Sequence, residues 1–277
     1  YYKIYKAQYG DSSLGLTSEL TNNKNGVHQH VSFVDVNTGF IYVTRDAMKK
    51  NSKREKVLQV FAMRQNPLTK KWIEIPFQLN NIEFSVADLI ISPDGSKVVF
   101  ASDMPGGFGG RDLWYTTYDK KGETWTAPVN MGPEINTKGN ELFPTFALNG
   151  DLIYATDGMP GLGGLDIVRA ARIGEENKWE NPKNLGAPIN GINNDYALVE
   201  LTDRKGYFTS ERKSGNGEYV PDIYSYELPP NIFDLKVIVS ELGNKDKKIP
   251  EVKVVVTDNN NGTWEGYTDK SGAVFWD

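Results

Sequence analysis

Asp103–Tyr115 reads DMPGGFGGRDLWY, and 54 positions later Asp157–Arg169 reads DGMPGLGGLDIVR. The echo continues downstream: Trp125 and Trp179 are 54 positions apart, as are Pro128 and Pro182. Two more worn copies flank this pair. VLQVFAMRQNPLTKKWIEIP places Phe61 and Trp72 about one period before Tyr115 and Trp125, and YVPDIYSYELP places Asp222 56 positions after Asp166. A partial fifth unit opens the sequence, where KIYKA matches DIVRA and SELTNNKNG matches PEINTKGN. A glycine-rich stretch that recurs with a long period is a feature of the scaffold, whereas a ligand loop more often occurs once.

Each period reads as four short strands. SKVVFASD, DLIYATD and KGYFTSE are β-branched or aromatic and bounded by turn residues. In the third copy, strand a covers about Phe84 to Ile91, SPDG at Ser92 to Gly95 closes a hairpin, and strand b covers about Lys97 to Ser102. Strand c follows Asp112 and strand d follows Trp125. Four strands per repeat of roughly 40–55 residues predict a β-propeller. Five blades are expected over residues 1–228, the first of them incomplete, with six as the alternative. At Pro229-Pro230 the pattern breaks. Residues 229–277 alternate as strands at about 233–241, 251–258, 263–268 and 272–276, the start of a β-sandwich.

The SPDG turns, the GGxGGxD-type loops and the W-x-x-P-x-x-L-G-x-x-I-N tails resemble the PD40 (WD40-like, TolB-like) β-propeller. KKIPEVKVVVTD and YTDKSGAVFWD are similar to the start of a carboxypeptidase-regulatory-like domain. That order resembles the OmpA-family lipoproteins of Bacteroidetes, a family that includes type IX secretion system components. The resemblance implies a lipid-anchored parent at the periplasmic face of the outer membrane. It also implies envelope partners, among them an outer-membrane β-barrel and other secretion-system subunits, and peptidoglycan binding through a domain outside these residues.

Composition excludes several other classes. A net charge of −5 without a long basic face argues against nucleic acid as a partner. No run of eighteen apolar residues provides a transmembrane segment. The opening YYKIYKAQYG has no initiating Met and no signal pattern, so these residues are expected to belong to a longer polypeptide. The absence of cysteine removes disulfides and thiolate chemistry.

No cofactor and no catalytic set are expected. The glycine loop feeds a strand rather than a helix N-terminus, and no lysine follows it as in a phosphate cradle. Calcium-binding β-rolls repeat every nine residues, not every 54. The favoured reading is structural: glycines supply positive φ in a tight turn, and Asp112, Asp166 and Asp222 hold it by accepting backbone N–H bonds. TYDKKGETW, residues 117–125, is one residue longer than a sialidase Asp-box and occupies a structural hairpin in either case.

His28 and His30 are the candidate metal ligands, an H-x-H pair that puts two imidazoles on one strand face near Glu83, Glu141 and Asp195 of other repeats. Solvated or hydrogen-bonded imidazoles are the favoured alternative. KKNSKREK, with Lys49, Lys50, Lys53 and Arg54, reads as an enlarged b–c loop and the candidate contact for an acidic protein partner. Trp72, Trp125 and Trp179 follow the period and are expected between blades. Trp114 departs from it and is the residue a sugar platform would use. The expected function is a non-catalytic scaffold, with a carbohydrate-binding or glycoside-processing propeller as the alternative, its carboxylates converging on the channel.

Overall fold

A computed structural model describes residues 4–9, 14–20, 27–174, 178–213, 217–229, 235–257 and 262–276. The chain divides into two compact units, Tyr1–Glu227 and Leu228–Asp277.

The first unit is all β. A hairpin of β1 (Tyr5–Tyr9) and β2 (Leu14–Glu19) precedes four larger antiparallel sheets. The first sheet is β3 (Gln29–Asp35), β4 (Phe40–Lys50), β5 (Lys56–Gln65) and β6 (Trp72–Pro76), paired in chain order. The second is β7 (Val86–Ile91), β8 (Lys97–Ser102) and β9 (Asp112–Asp119), with β10 (Thr124–Trp125) and β11 (Val129–Asn130) both pairing β9. Pro128 lacks the N–H a ladder needs, and the outer strand is split on either side of it. The third is β12 (Glu141–Phe146), β13 (Leu152–Thr156), β14 (Asp166–Ile173) and β15 (Lys178–Asn184), and the fourth is β16 (Asp195–Thr202), β17 (Lys205–Ser210) and β18 (Asp222–Glu227).

The first strands of these sheets pack in sequence, β3 beside β7, β7 beside β12 and β12 beside β16. The result is a ring-like, propeller-like arrangement of four sheets, set against an expectation of five blades. β1–β2 is the part of the expected incomplete blade that falls in the described residues. Ile4 and Leu20, which flank this hairpin, pack with Val43, Met63 and Trp72 of the first sheet.

Each inner strand carries a β-bulge, at Val31/Phe33, Ala87/Ile90, Leu142/Thr145 and Tyr196/Val199. In three of them a non-glycine residue takes the left-handed conformation the bulge requires: Asp88 at φ +54, Phe143 at +50 and Ala197 at +54. Such residues carry roughly 1–2 kcal/mol of backbone strain apiece, which the surrounding packing must outweigh.

Between sheets the core is aliphatic and aromatic. Val60, Phe77, Leu89, Phe100 and Trp114 join the first sheet to the second. Val99, Leu113, Ile135, Leu152, Tyr154, Val168 and Trp179 join the second to the third. Ala147, Ile153, Ile167, Ile189, Leu198 and Phe208 join the third to the fourth. Burying one such aliphatic side chain contributes about 1.5–3 kcal/mol. A strand enclosed on both faces is therefore apolar, as in β8, where Val98, Val99, Phe100 and Ala101 are each fully buried.

The second unit, taken by itself, holds three two-stranded antiparallel sheets among the described residues. These are β19 (Leu235–Ile238) with β24 (Ala273–Trp276), β20 (Ser240–Glu241) with β21 (Asn244–Lys248), and β22 (Lys253–Thr257) with β23 (Thr263–Tyr267). The lysine-rich stretch Asn244–Lys248, which lies between the strands expected at 233–241 and 251–258, is itself strand β21, reversing on Leu242-Gly243 with Gly243 at φ +83.

Candidate functional site

The glycine loops are built by repetition. Asp112 accepts from the N–H groups of Phe108 (2.6 Å) and Gly109 (3.1 Å) and from Asn130 Nδ2 (2.7 Å). Asp166 accepts from Leu162 N–H (2.5 Å), Gly163 N–H (3.4 Å) and Asn184 Nδ2 (3.2 Å), its Oδ1 having no partner among the described residues. Asp222 is exposed and accepts from the adjacent Ile223 N–H at 2.8 Å.

The glycines themselves have a different cause from the one expected. In DMPGGFGG only Gly106 has positive φ. Gly109 is required because a Cβ there would meet Gly139 O and Lys138 C at 2.5 Å. The loop presses against the linker entering the next sheet and is bonded to it. Gly110 N–H donates to Gly139 O (2.7 Å), Arg111 N–H to Asn140 Oδ1 (3.1 Å) and Glu141 N–H to Arg111 O (2.7 Å). The same bonds recur at the linker entering the fourth sheet, where Gly164 N–H donates to Asn193 O (3.2 Å), Leu165 N–H to Asn194 Oδ1 (2.9 Å) and Asp195 N–H to Leu165 O (2.7 Å).

The acids that open the inner strands are likewise engaged. Glu141 is fully buried and accepts from Thr137 N–H (3.0 Å), Thr137 Oγ1 (2.6 Å) and Thr156 Oγ1 (2.9 Å), while burial pushes its carboxyl above the usual range. Asp195, fully buried, accepts from Arg212 Nη2 at 2.9 Å and from Gly191 N–H at 2.6 Å. Glu83 is held below the usual carboxylate range, first by the Ser52 hydroxyl at 2.5 Å. Strand register sets His30 level with Glu141 and Asp195 and with Val86, so Glu83 lies three residues ahead of the equivalent position.

His28 is exposed and precedes β3, whereas the half-buried His30 places Nε2 2.8 Å from Asp88 Oδ1. The structure therefore sets His30 against a carboxylate of the second sheet. Among the described residues no group of three or more His, Cys, Asp or Glu side chains is placed to hold a metal ion.

Asp88 does not stand out among the sequence candidates, yet it joins three sheets at the axis. Its N–H donates to Thr44 Oγ1 of the first sheet (2.9 Å), its Oδ1 faces His30, and its Oδ2 accepts from Phe143 N–H of the third (3.3 Å). Phe143 in turn stacks on Tyr196 of the fourth sheet, centroids 4.7 Å apart. The signal that could have found Asp88 is an acid inside the apolar run VADLII. A second set of residues missed in the sequence is Asn80, Asn136 and Asn190. Each gives its amide to one backbone N–H and C=O pair, of Val60, Leu113 and Ile167 respectively, at 2.7–2.9 Å.

The basic run is an extended hairpin rather than an enlarged loop. β4 reaches Lys50, β5 resumes at Lys56, and Asn51 closes the turn by accepting from Glu55 N–H (2.8 Å). Arg54 takes φ +66 there. Lys49, Lys50, Lys53 and Arg54 are all exposed, with exposed Met48 beside them. None of the four forms an ion pair among the described residues.

Of the period tryptophans, Trp179 and Trp125 pack at the sheet junctions and Trp72 packs in the cluster shared with Ile4. Trp114 is only 6% exposed, with Nε1 donating to Ser102 O, and offers no platform. Among the described residues no helix is long and apolar enough to cross a membrane. No family model matches the chain, and no curated protein matches it in sequence.

Proposed function

We propose that the protein is a non-catalytic scaffold module of a cell envelope, docking on a partner through the basic hairpin tip at Lys49, Lys50, Lys53 and Arg54. The observation that carries this reading is a contrast. The acids at the inner-strand starts are spent on structural bonds, whereas a dense cation cluster stands exposed, with no ion pair among the described residues, where the first sheet departs from its repeat. Unpaired surface cations are available to an acidic partner and steer its approach. The burial of Glu141 and Asp195 counts against a glycosidase, which needs two carboxylates open to its substrate.

The resemblance to OmpA-family lipoproteins gives the setting. The module works at the periplasmic face of the outer membrane, as part of a type IX secretion or gliding machinery. Its partners there are an outer-membrane barrel and other machinery subunits, with peptidoglycan reached through another domain of the parent. The test is capture from an envelope extract by the immobilised chain and by a Lys49→Glu, Lys50→Glu, Lys53→Glu, Arg54→Glu variant. Loss of the captured barrel with the variant is the expected result, and equal capture overturns the docking site.

A further inference from the structure

The turns that follow β3 and β7, at 35–38 and 92–95, both border a cavity of about 780 Å³. Its walls are the turn-proximal parts of β3 and β7, completed by the end of β12 and by β16, through Val31, Phe33, Ile90, Ile91, Phe146 and Val199. β3 and β7 pack directly on each other, so the cavity belongs to the inner surface of the sheets. Two hydroxyls in the walls are engaged by the protein itself: Ser32 Oγ bonds Thr44 Oγ1 (2.7 Å), and Thr145 Oγ1 donates to Leu198 O (2.8 Å). The lining is therefore predominantly apolar. A cleft of this size, with apolar walls and a few fixed polar groups, is the form that small-molecule sites take.

The fixed polar groups are two carboxylates, one on each turn. Asp35 accepts from Asn37 N–H (3.0 Å), Thr38 N–H (3.3 Å) and Thr38 Oγ1 (2.5 Å), and Asp94 from Ser92 Oγ (2.6 Å), Ser96 N–H (3.1 Å) and Ser96 Oγ (2.8 Å). These bonds hold both carboxyls below the usual carboxylate range, through the Thr38 and Ser92 hydroxyls first. An ionised carboxylate has about four acceptor positions, so each keeps one for a ligand. Asp35 and Asp94 are the only charged side chains that line the cavity among the described residues, and neither forms an ion pair there. We propose that this cavity binds an amphipathic organic cation, a small molecule with an aliphatic body and one ammonium or guanidinium head. The body is taken up by the apolar walls and the head by the two turns, and a carboxylate head on the same body is repelled. None of these residues belongs to the hairpin tip at Lys49–Arg54, so this site goes beyond the docking proposed there.

The probes are n-octylammonium, n-octanol and n-octanoate, which share one body and differ in head charge, titrated calorimetrically against the whole chain at neutral pH. The expected result is saturable binding of octylammonium, at least about tenfold tighter than that of octanoate, with octanol between them. Replacing both acids, by Asp35→Asn and Asp94→Asn together, is expected to bring the three probes within about threefold of one another. Val34→Arg, which puts bulk and a cation into the lining, is expected to weaken octylammonium at least about tenfold. Each variant is checked by thermal melting, and if the double variant melts early the two single variants are read instead, each losing part of the preference. No saturable binding of octylammonium, equal binding of octylammonium and octanoate, or a preference that survives in the asparagine variants overturns the proposal. A blocked Leu-Lys-Leu peptide carries the same groups on a chain, and its binding more tightly than octylammonium assigns the cavity to a protein segment and overturns the proposal as well.

Discussion

Gly109 shows why residue type here is set by a neighbouring linker rather than by local conformation. Its own φ does not require glycine, but a methyl group would strike Thr137 O, Lys138 C and Gly139 O. Gly109→Ala is expected to destabilise the fold by about 1–3 kcal/mol in urea unfolding, the usual consequence of overpacking. Gly95 is the counter-case, at φ +69 with no atom within 4 Å of the place a side-chain carbon would take, so Gly95→Ala costs about 1 kcal/mol from conformation alone. Asn136 answers to hydrogen bonding. Asn136→Ala strands the buried N–H and C=O of Leu113 and is expected to cost about 2–4 kcal/mol in the same assay.

At the scale of elements, the inner strands and their turns are the most legible part of the sequence. β7 and β8 lie within a residue or two of where β-branched runs and SPDG place them, because strands covered on both faces must be apolar and a tight turn must carry Asp and Gly. The bulges are not legible, since left-handed φ at Asp88, Phe143 and Ala197 falls on three unlike residues and leaves no common letter. The b–c hairpin at Lys49–Lys56 reads as an enlarged loop in the sequence because its charges conceal a strand pairing that depends on Asn51. Glu141 and Asp195 occupy equivalent positions at the starts of their inner strands, but their burial is a property of the linkers packed over them.

The a–b turn of the second sheet makes a pH prediction. Asp94 is lowered from 3.8 to about 2, chiefly by the Ser92 hydroxyl and then by Ser96. A depressed carboxyl stabilises the fold above its unfolded value, and that contribution is lost as pH falls through the folded one. The stability difference between the protein and Asp94→Asn is therefore expected to be full at neutral pH and to shrink between about pH 4 and pH 2, measured by chemical unfolding across that range.

For the whole molecule, the chain divides after Glu227 into two units, each with its own internal contacts. Residues 1–227 alone are expected to melt within a few degrees of the first unit in the full chain. A collapse of that transition on removing 228–277 contradicts independent units. Which inner strands lie side by side is not legible, because counting repeats does not say which strands meet. Whether scaffolding is the function turns on the basic hairpin tip. The direct measurement is capture of outer-membrane proteins from envelope extract by the native chain and by the fourfold charge-reversal variant at Lys49, Lys50, Lys53 and Arg54, both with the same melting temperature. The expected result is a barrel protein retained by the native chain, released as salt is raised, and reduced at least about tenfold in the variant. Retention that is identical in the two contradicts it.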